Sequence, residues 1–414
     1  MPTTLGKYTL HEELGRGGFA TVYRATHTTL GTEAAVKVLN PALVGDEKSR
    51  QRFIGDAQIA ASLDHAHIVR IIDLGEDQDQ LFIAMEYFPC GDLSRWLQDH
   101  GPLSNHDLLR LLGQVASALD YAHSKNVLHR DIKPGNILMD AGGSGSLSDF
   151  GLARLLSDPH KTRIGSVVGS VMYLSPEQAQ GLTNVDSRTD QYSLAVVAYE
   201  LLTGQPPFQG ENATSVAAMH VRKPPPVPSS LKESIPHEVD EALLRGLAKT
   251  PAERCASCTE FVRGLEAAFE AHVLRRIREL LGEAHSQLEQ GQYAAVRQCL
   301  DAARALLFDY PELLNRPDLR SPLDELETII HQTEGYEQGM KEWQTAKQKA
   351  QAVLDLFPNY PDPHKVFSTL DLRKPTRTTS ERLLALARQA GAGLLIGLAG
   401  AALALAIAYW YISK

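Results

Sequence analysis

The sequence predicts an α+β protein: a small β-rich lobe, a larger α-helical lobe, an all-α region and a single C-terminal transmembrane helix. Three observations carry this. From Tyr8 to about Leu97, short apolar runs such as Ala34–Leu39 and Leu81–Tyr87 are separated by turns, as in strands. From Leu103 to about Phe269 helical periods take over, with Leu108, Leu111, Leu112, Val115 and Leu119 recurring at spacings of three and four. Residues 390–412 then run without a charge, long enough to cross about 30 Å of hydrocarbon.

In chain order, residues 8–270 form the two-lobed unit, whose small lobe has one helical stretch near Arg52–Leu63. Residues 272–370 are α-helical. Leu274, Ile277, Leu280, Leu281 and Leu288 make one stripe, Gly291 breaks it, and Val296, Leu300, Ala303 and Leu307 make another. A similar pattern ends at Val353, Leu354 and Phe357, which suggests two related helical hairpins like tetratricopeptide repeats; an irregular bundle fits equally. Residues 371–389 are a basic juxtamembrane linker. Arg373, Lys374, Arg377, Arg382 and Arg388 precede the apolar segment and Lys414 alone follows it, so the positive-inside rule keeps the large N-terminal part in the cytoplasm of a single-pass membrane protein. Tyr409, Trp410 and Tyr411 form an interfacial belt at its far end. Gly393-x-x-x-Gly397 offers close helix approach, hence a homodimer.

Length and composition exclude other classes. Four hundred and fourteen residues with 43% hydrophobic and 22% charged side chains are ordinary for globular domains. A net charge of −9 argues against bulk nucleic-acid binding. Four cysteines cannot staple a chain of this length, and Cys255-x-x-Cys258 lacks a second ligand pair for zinc, so the pair reads as incidental in a reducing compartment.

Chemistry concentrates in a few segments. Leu14-Gly-Arg-Gly-Gly-Phe-Ala-Thr-Val22 lies between two strands, and Gly15, Gly17 and Gly18 let main-chain N–H groups approach phosphate oxygens; alone, such a loop also fits a tight hairpin. Lys37, in the apolar strand around Ala35-Val36, needs an anionic partner because burying an unpaired ammonium is costly. Together they point to a nucleoside triphosphate. Asp131, Asn136 and Asp149 add oxygen ligands suited to magnesium and to accepting a proton.

With His129-Arg-Asp-Ile-Lys-Pro-Gly-Asn136 and Asp149-Phe-Gly151 in this order, the segment from Tyr8 to about Phe269 resembles eukaryotic-type Ser/Thr protein kinases, most closely the bacterial ones. The resemblance implies the bilobal protein-kinase fold and transfer of the ATP γ-phosphate to Ser/Thr hydroxyls of protein substrates. It implies that Asp131 orients the acceptor and takes its proton, Lys133 neutralises the moving phosphate, Asn136 and Asp149 hold Mg²⁺, and Lys37 contacts the α- and β-phosphates. ATP would lie under Leu14, Gly15, Arg16, Gly17, Gly18, Phe19 and Ala20, with adenine between Val22 and Ala35 above and Leu138 below. Met85 would be the gatekeeper, and Glu86 and Phe88 would lend hinge main-chain groups. Glu177 would pair with Arg254, and Asp190 would brace the catalytic loop. His129, His65 and His67 read as structural, and His123 carries no further signal.

Ala20, Ser170 and Asp56 depart from the family pattern: Ala20 replaces a loop glycine, Ser170 a threonine, and Asp56 the glutamate expected to pair with Lys37. Aspartate is one methylene shorter, which raises an alternative from another class: a pseudokinase or nucleotide-binding membrane scaffold acting through a protein partner of the helical region. Arg130 implies an activation loop ordered by autophosphorylation, with Thr162 and Ser166 as acceptors.

Overall fold

The computed structural model describes residues 4–17, 20–41, 47–150 and 168–356, apart from 309, 311, 312 and 314. Gly18, Phe19, Thr162, Ser166, the linker at 371–389 and the apolar segment at 390–412 therefore lie outside the described residues. The chain divides into two units, Met1–His272 and Val273–Lys414.

The first unit begins with six antiparallel strands: β1 (Thr4–Leu5), β2 (Tyr8–Arg16), β3 (Ala20–His27), β4 (Glu33–Leu39), β5 (Ile71–Asp77) and β6 (Gln80–Met85), in the order β1-β2-β3-β4-β6-β5. Strand alternation sorts the side chains onto two faces. Ala34 and Val36 of β4 and Phe82 and Ala84 of β6 pack with Leu5, Tyr8 and Ala25. Ala35 and Leu39, with Leu81, Ile83 and Met85, pack on the other face against Phe53 and Ala57 of α1 (Glu47–Ala61). Lys37 shares the parity of Ala35 and Leu39, so the pleat places it on the α1 side of the sheet. The helix expected near Arg52–Leu63 starts five residues earlier, at Glu47. β5 and β6 are joined by Gln78 and Asp79, both at positive φ (50° and 61°), a two-residue turn matched to sheet twist.

The α-rich lobe is organised around two buried helices. In α3 (Asn105–Ser124), capped by Ser104, Leu108, Leu111, Leu112, Val115 and Leu119 are buried, as their spacing predicts. Its neighbours in sequence are α2 (Leu93–His100) before it, then a 3₁₀ turn at Pro134–Asn136 and the ribbon β7 (Ile137–Met139) with β8 (Gly145–Leu147). After α4 (Val168–Val171) and α5 (Pro176–Ala179) comes α6 (Arg188–Thr203), which buries every residue from Thr189 to Tyr199. A helix covered all round is the lobe's central post. The helices α7 (Ala213–Arg222), α8 (Pro228–Leu231) and α9 (His237–Gly246) follow.

One helix, α10 (Cys258–Glu289), runs through residues 270–272, where the sequence suggested a boundary. In the second unit its latter half packs with α11 (Tyr293–Phe308) through Ile277, Leu281, Val296, Leu300, Ala303 and Leu307, and Gly291 at φ 74° makes the turn between them. The second hairpin expected from the sequence is absent from the described residues: α12 (Pro317–Leu356) is a single 40-residue helix. Pro317 opens it, its one internal proline, Pro322, falls within the second turn, and Gly335 and Gly339 lie inside it without ending it. Among the described residues no helix is long and apolar enough to cross a membrane.

Candidate active site

The nucleotide edge is built from strands. Leu14, Gly15 and Arg16 end β2, Ala20 and Val22 begin β3, and the Gly17 N–H donates to the Ala20 carbonyl at 2.9 Å. A Cβ on Gly15 would meet nothing within 4 Å, and one on Gly17 only the Ala20 oxygen at 3.8 Å. No described protein neighbour demands glycine there; open main chain suits an anionic ligand. Val22, Ala35, Met85, Phe88 and Leu138 belong to one apolar cluster, which brings the residues expected above and below an adenine ring together across the lobes. The Glu86 N–H donates to Arg70 at 3.0 Å, so the main-chain group Glu86 has for a ligand is its carbonyl.

Lys37 Nζ meets Asp149 Oδ1 at 2.6 Å, with the two side chains 14% and 26% exposed. Burial works against the Asp149 carboxylate, but the Lys37 ammonium, helped by His129 and Lys133, holds its pKa below the ordinary value. Asp56 sits half-buried on α1. Asp149 and Arg130 both adopt left-handed backbone, at φ 66° and 67°, a strained conformation for residues with a Cβ.

The catalytic loop converges on Asp131. Lys133 Nζ donates to Asp131 Oδ2 at 2.7 Å and to Ser170 Oγ at 2.8 Å. Asn136, buried, donates its amide nitrogen to the Asp131 carbonyl at 2.7 Å and to Oδ2 at 3.0 Å. The atom Asn136 has for a cation is therefore Oδ1.

A buried polar frame holds this loop. Asp190, without exposed surface, accepts from the His129 N–H at 2.8 Å and the Arg130 N–H at 2.7 Å. His129 bonds through Nε2 to the Ser148 carbonyl at 2.7 Å, a structural role as expected. Gln178, which closes a capping box with Ser175 at the start of α5, donates to the Arg130 carbonyl at 2.8 Å. Arg254 grips Glu177 with two bonds, at 2.8 and 2.9 Å, and Thr189 donates to the same carboxylate.

Sequence reasoning missed His123 and Asp120. His123 Nε2 lies 2.7 Å from Asp190 Oδ2, and its Nδ1 faces Asp120 at 3.8 Å. Burial opposes its charge, yet the two carboxylates raise its pKa to about 9. Asp120 also caps α10, accepting from the N–H groups of Cys258 and Thr259 at 3.0 and 2.9 Å. The only sequence signal was the Asp120–His123 spacing on one helix face. Asp120, His123 and Cys258 bring donor atoms within 4.8 Å of one another; the cap and the carboxylate bridge account for their placement without an ion, and burial pushes the Cys258 thiol up, which disfavours a thiolate ligand.

Two lobes meeting at an Asp–Lys–Asn loop and a Lys–Asp pair are the architecture of the protein kinases. The chain belongs to that family: the protein kinase domain model matches residues 8–264, and its relatives place it with the eukaryotic-type Ser/Thr kinases of bacteria. It is similar to the serine/threonine-protein kinase PrkC of Bacillus subtilis, 39% identical over 278 residues, covering 67% of this chain and 43% of that one. It is also similar to PknB of Mycobacterium leprae, 38% identical over 264 residues, covering 63% and 42%. The matched stretch thus spans about two-fifths of these relatives' length. The crystal structure of the Mycobacterium tuberculosis PknI kinase domain superposes with a TM-score of 0.52 at 33% identity, covering 64% of this chain and 98% of that one. Membership of the family carries with it the use of ATP and a divalent metal ion.

Proposed function

We propose that this chain transfers the γ-phosphate of ATP to Ser and Thr hydroxyls of protein substrates in bacterial signal transduction. The observation that carries the reading is Lys133 bridging Asp131 and Ser170, at 2.7 and 2.8 Å, which gathers a base, a cation and the acceptor side of the cleft at one point. Asp131 orients the incoming hydroxyl and takes its proton, and Lys133 neutralises the transferring phosphate. Lys37 exchanges part of its bond to Asp149 for the α- and β-phosphates, with Asp56 on α1 as its second anionic neighbour. Adenine fits the Val22–Ala35–Leu138 cluster, with the Glu86 carbonyl and the Phe88 N–H as hinge partners. Asn136 and Asp149 offer hard oxygen donors of the kind Mg²⁺ prefers; the bound ion would neutralise phosphate charge. The test is radiolabelled phosphate transfer from Mg-ATP to myelin basic protein. The wild type should transfer phosphate and Asp149→Asn should not; an inactive wild type that still binds ATP would favour the scaffold alternative.

Thr162 and Ser166 are the proposed autophosphorylation sites, supported by Arg130 beside Asp131 and by the cationic Lys161 and Arg163, whose local sign a phosphate of roughly −2 charge reverses. Residues 390–412 are the proposed anchor in the cytoplasmic membrane, supported by their charge-free length and the basic residues before them, with Gly393 and Gly397 as a dimer contact and residues 272–370 as a partner-binding region. Truncation after Arg388 should release the protein from membranes in fractionation.

A further inference from the structure

We infer that His220 is a positioning residue for the protein acceptor: from inside the α-rich lobe it fixes the main-chain strip beside which the residues flanking the phosphorylated hydroxyl lie. This deepens the kinase reading and depends on it.

His220, on α7, has no exposed surface. Its Nε2 lies 3.0 Å from the Met172 carbonyl oxygen, and its Nδ1 lies 3.0 Å from the Tyr192 hydroxyl. A carbonyl only accepts, so Nε2 carries the proton and Nδ1 accepts from Tyr192. The Tyr192 oxygen in turn faces the Lys249 ammonium at 3.4 Å. The imidazole stands edge-on to the rings of Tyr192 and Phe208, at centroid distances of 5.7 and 4.9 Å. Burial, then Lys249, pushes the His220 pKa down to about 4, so this one neutral tautomer persists at working pH.

Met172 lies two residues beyond Ser170, the residue that Lys133 ties to the catalytic aspartate. The next carbonyl, that of Tyr173, accepts from Ser193 Oγ at 2.7 Å, and the Tyr173 hydroxyl donates to Glu200 at 2.6 Å. Residues 170–173 are thus held from the catalytic loop at one end and from α6 and α7 behind. Of these ties, only the one to Met172 comes from α7, and losing its donor leaves an inward main-chain carbonyl short of a bond. Only Lys133, which meets the transferring phosphate, links this chain of bonds to the nucleotide; Lys37, the glycine loop and the adenine cluster take no part in it. The consequence should therefore appear in acceptor affinity and not in ATP affinity.

The experiment is steady-state kinetics of the full chain with myelin basic protein as acceptor. His220→Phe keeps a ring between Phe208 and Tyr192 but removes the donor. His220→Gln places an amide N–H where Nε2 stood. The KM for the acceptor should rise about fivefold to tenfold in His220→Phe, with the KM for ATP within about twofold, and His220→Gln should recover most of the loss. If His220→Phe does not fold, His220→Asn, whose shorter amide cannot reach Met172, gives the same reading. An unchanged acceptor KM, or an equal rise in both KM values without rescue by Gln, overturns the inference while leaving an active kinase. No transfer by the wild type overturns the kinase reading and the role of His220 with it.

Discussion

The two sides of the cleft hold their charged groups differently. Behind the catalytic loop, Asp190 and the Glu177–Arg254 pair are buried, and their acceptors and donors are reciprocally bonded. At the nucleotide edge, Lys37 meets Asp149 through Oδ1 at 2.6 Å, with both side chains partly exposed, beside glycines with open space around them. A buried, satisfied network has one arrangement and is costly to break. An ion pair that keeps some exposure, and that a phosphate can replace on the Lys37 side, exchanges partners at less cost than a fully buried one. Phosphoryl transfer uses both properties: the acceptor side must stay oriented, and the nucleotide side must trade protein contacts for phosphate.

The sharpest way to break this contrast is Glu177→Ala, which leaves the Arg254 guanidinium buried without its carboxylate. Urea unfolding should show a loss of about 3–5 kcal/mol. A loss below about 1 kcal/mol would mean that the frame is no stiffer than a surface pair.

A second, smaller effect should follow pH. The folded-state pKa of His123 is raised from 6.5 to about 9, so its stabilisation is fully present below pH 6.5 and is lost as pH rises through about 9. Its size is of order 3 kcal/mol. The Tm should fall between pH 6.5 and 9, and His123→Gln should flatten that slope. An equal slope in the variant would remove His123 from the frame.

The smallest effect tests the nucleotide side. Asp56→Glu lengthens the α1 carboxylate by one methylene, and its activity in the transfer assay should equal or exceed that of wild type. A clear loss would mean that α1 is adapted to aspartate.

What the sequence made legible follows from how local each signal was. The strands around Ala34–Leu39 and Leu81–Met85 were legible as short apolar runs between turns, although a run buried on both sides does not show which side chain takes which face. The Asp131–Asn136 loop was legible from residue types a few positions apart. The pair Glu177–Arg254, 77 residues apart, was foreseen only through the family resemblance. His123 and His220 were opaque, because one histidine on a helix gives no sign of a carboxylate 67 residues away or a carbonyl 48 residues away. The second helical hairpin failed for another reason. Apolar spacing in 317–356 does not say whether the chain turns, and internal glycine without a cap or proline after it did not end the helix. The turn at Gln78-Asp79 lacked the usual Asn-Gly or Asp-Gly marker and was set by strand register.

The central claim is that chemistry resides in Asp131 and Lys37 while stability resides in the frame behind them. It is tested most directly by measuring phosphate transfer and Tm together on purified Asp131→Asn and Lys37→Met. Each should lose transfer by at least about a thousandfold while its Tm stays within about 2 °C of wild type. Near-wild-type transfer in either variant would contradict the account.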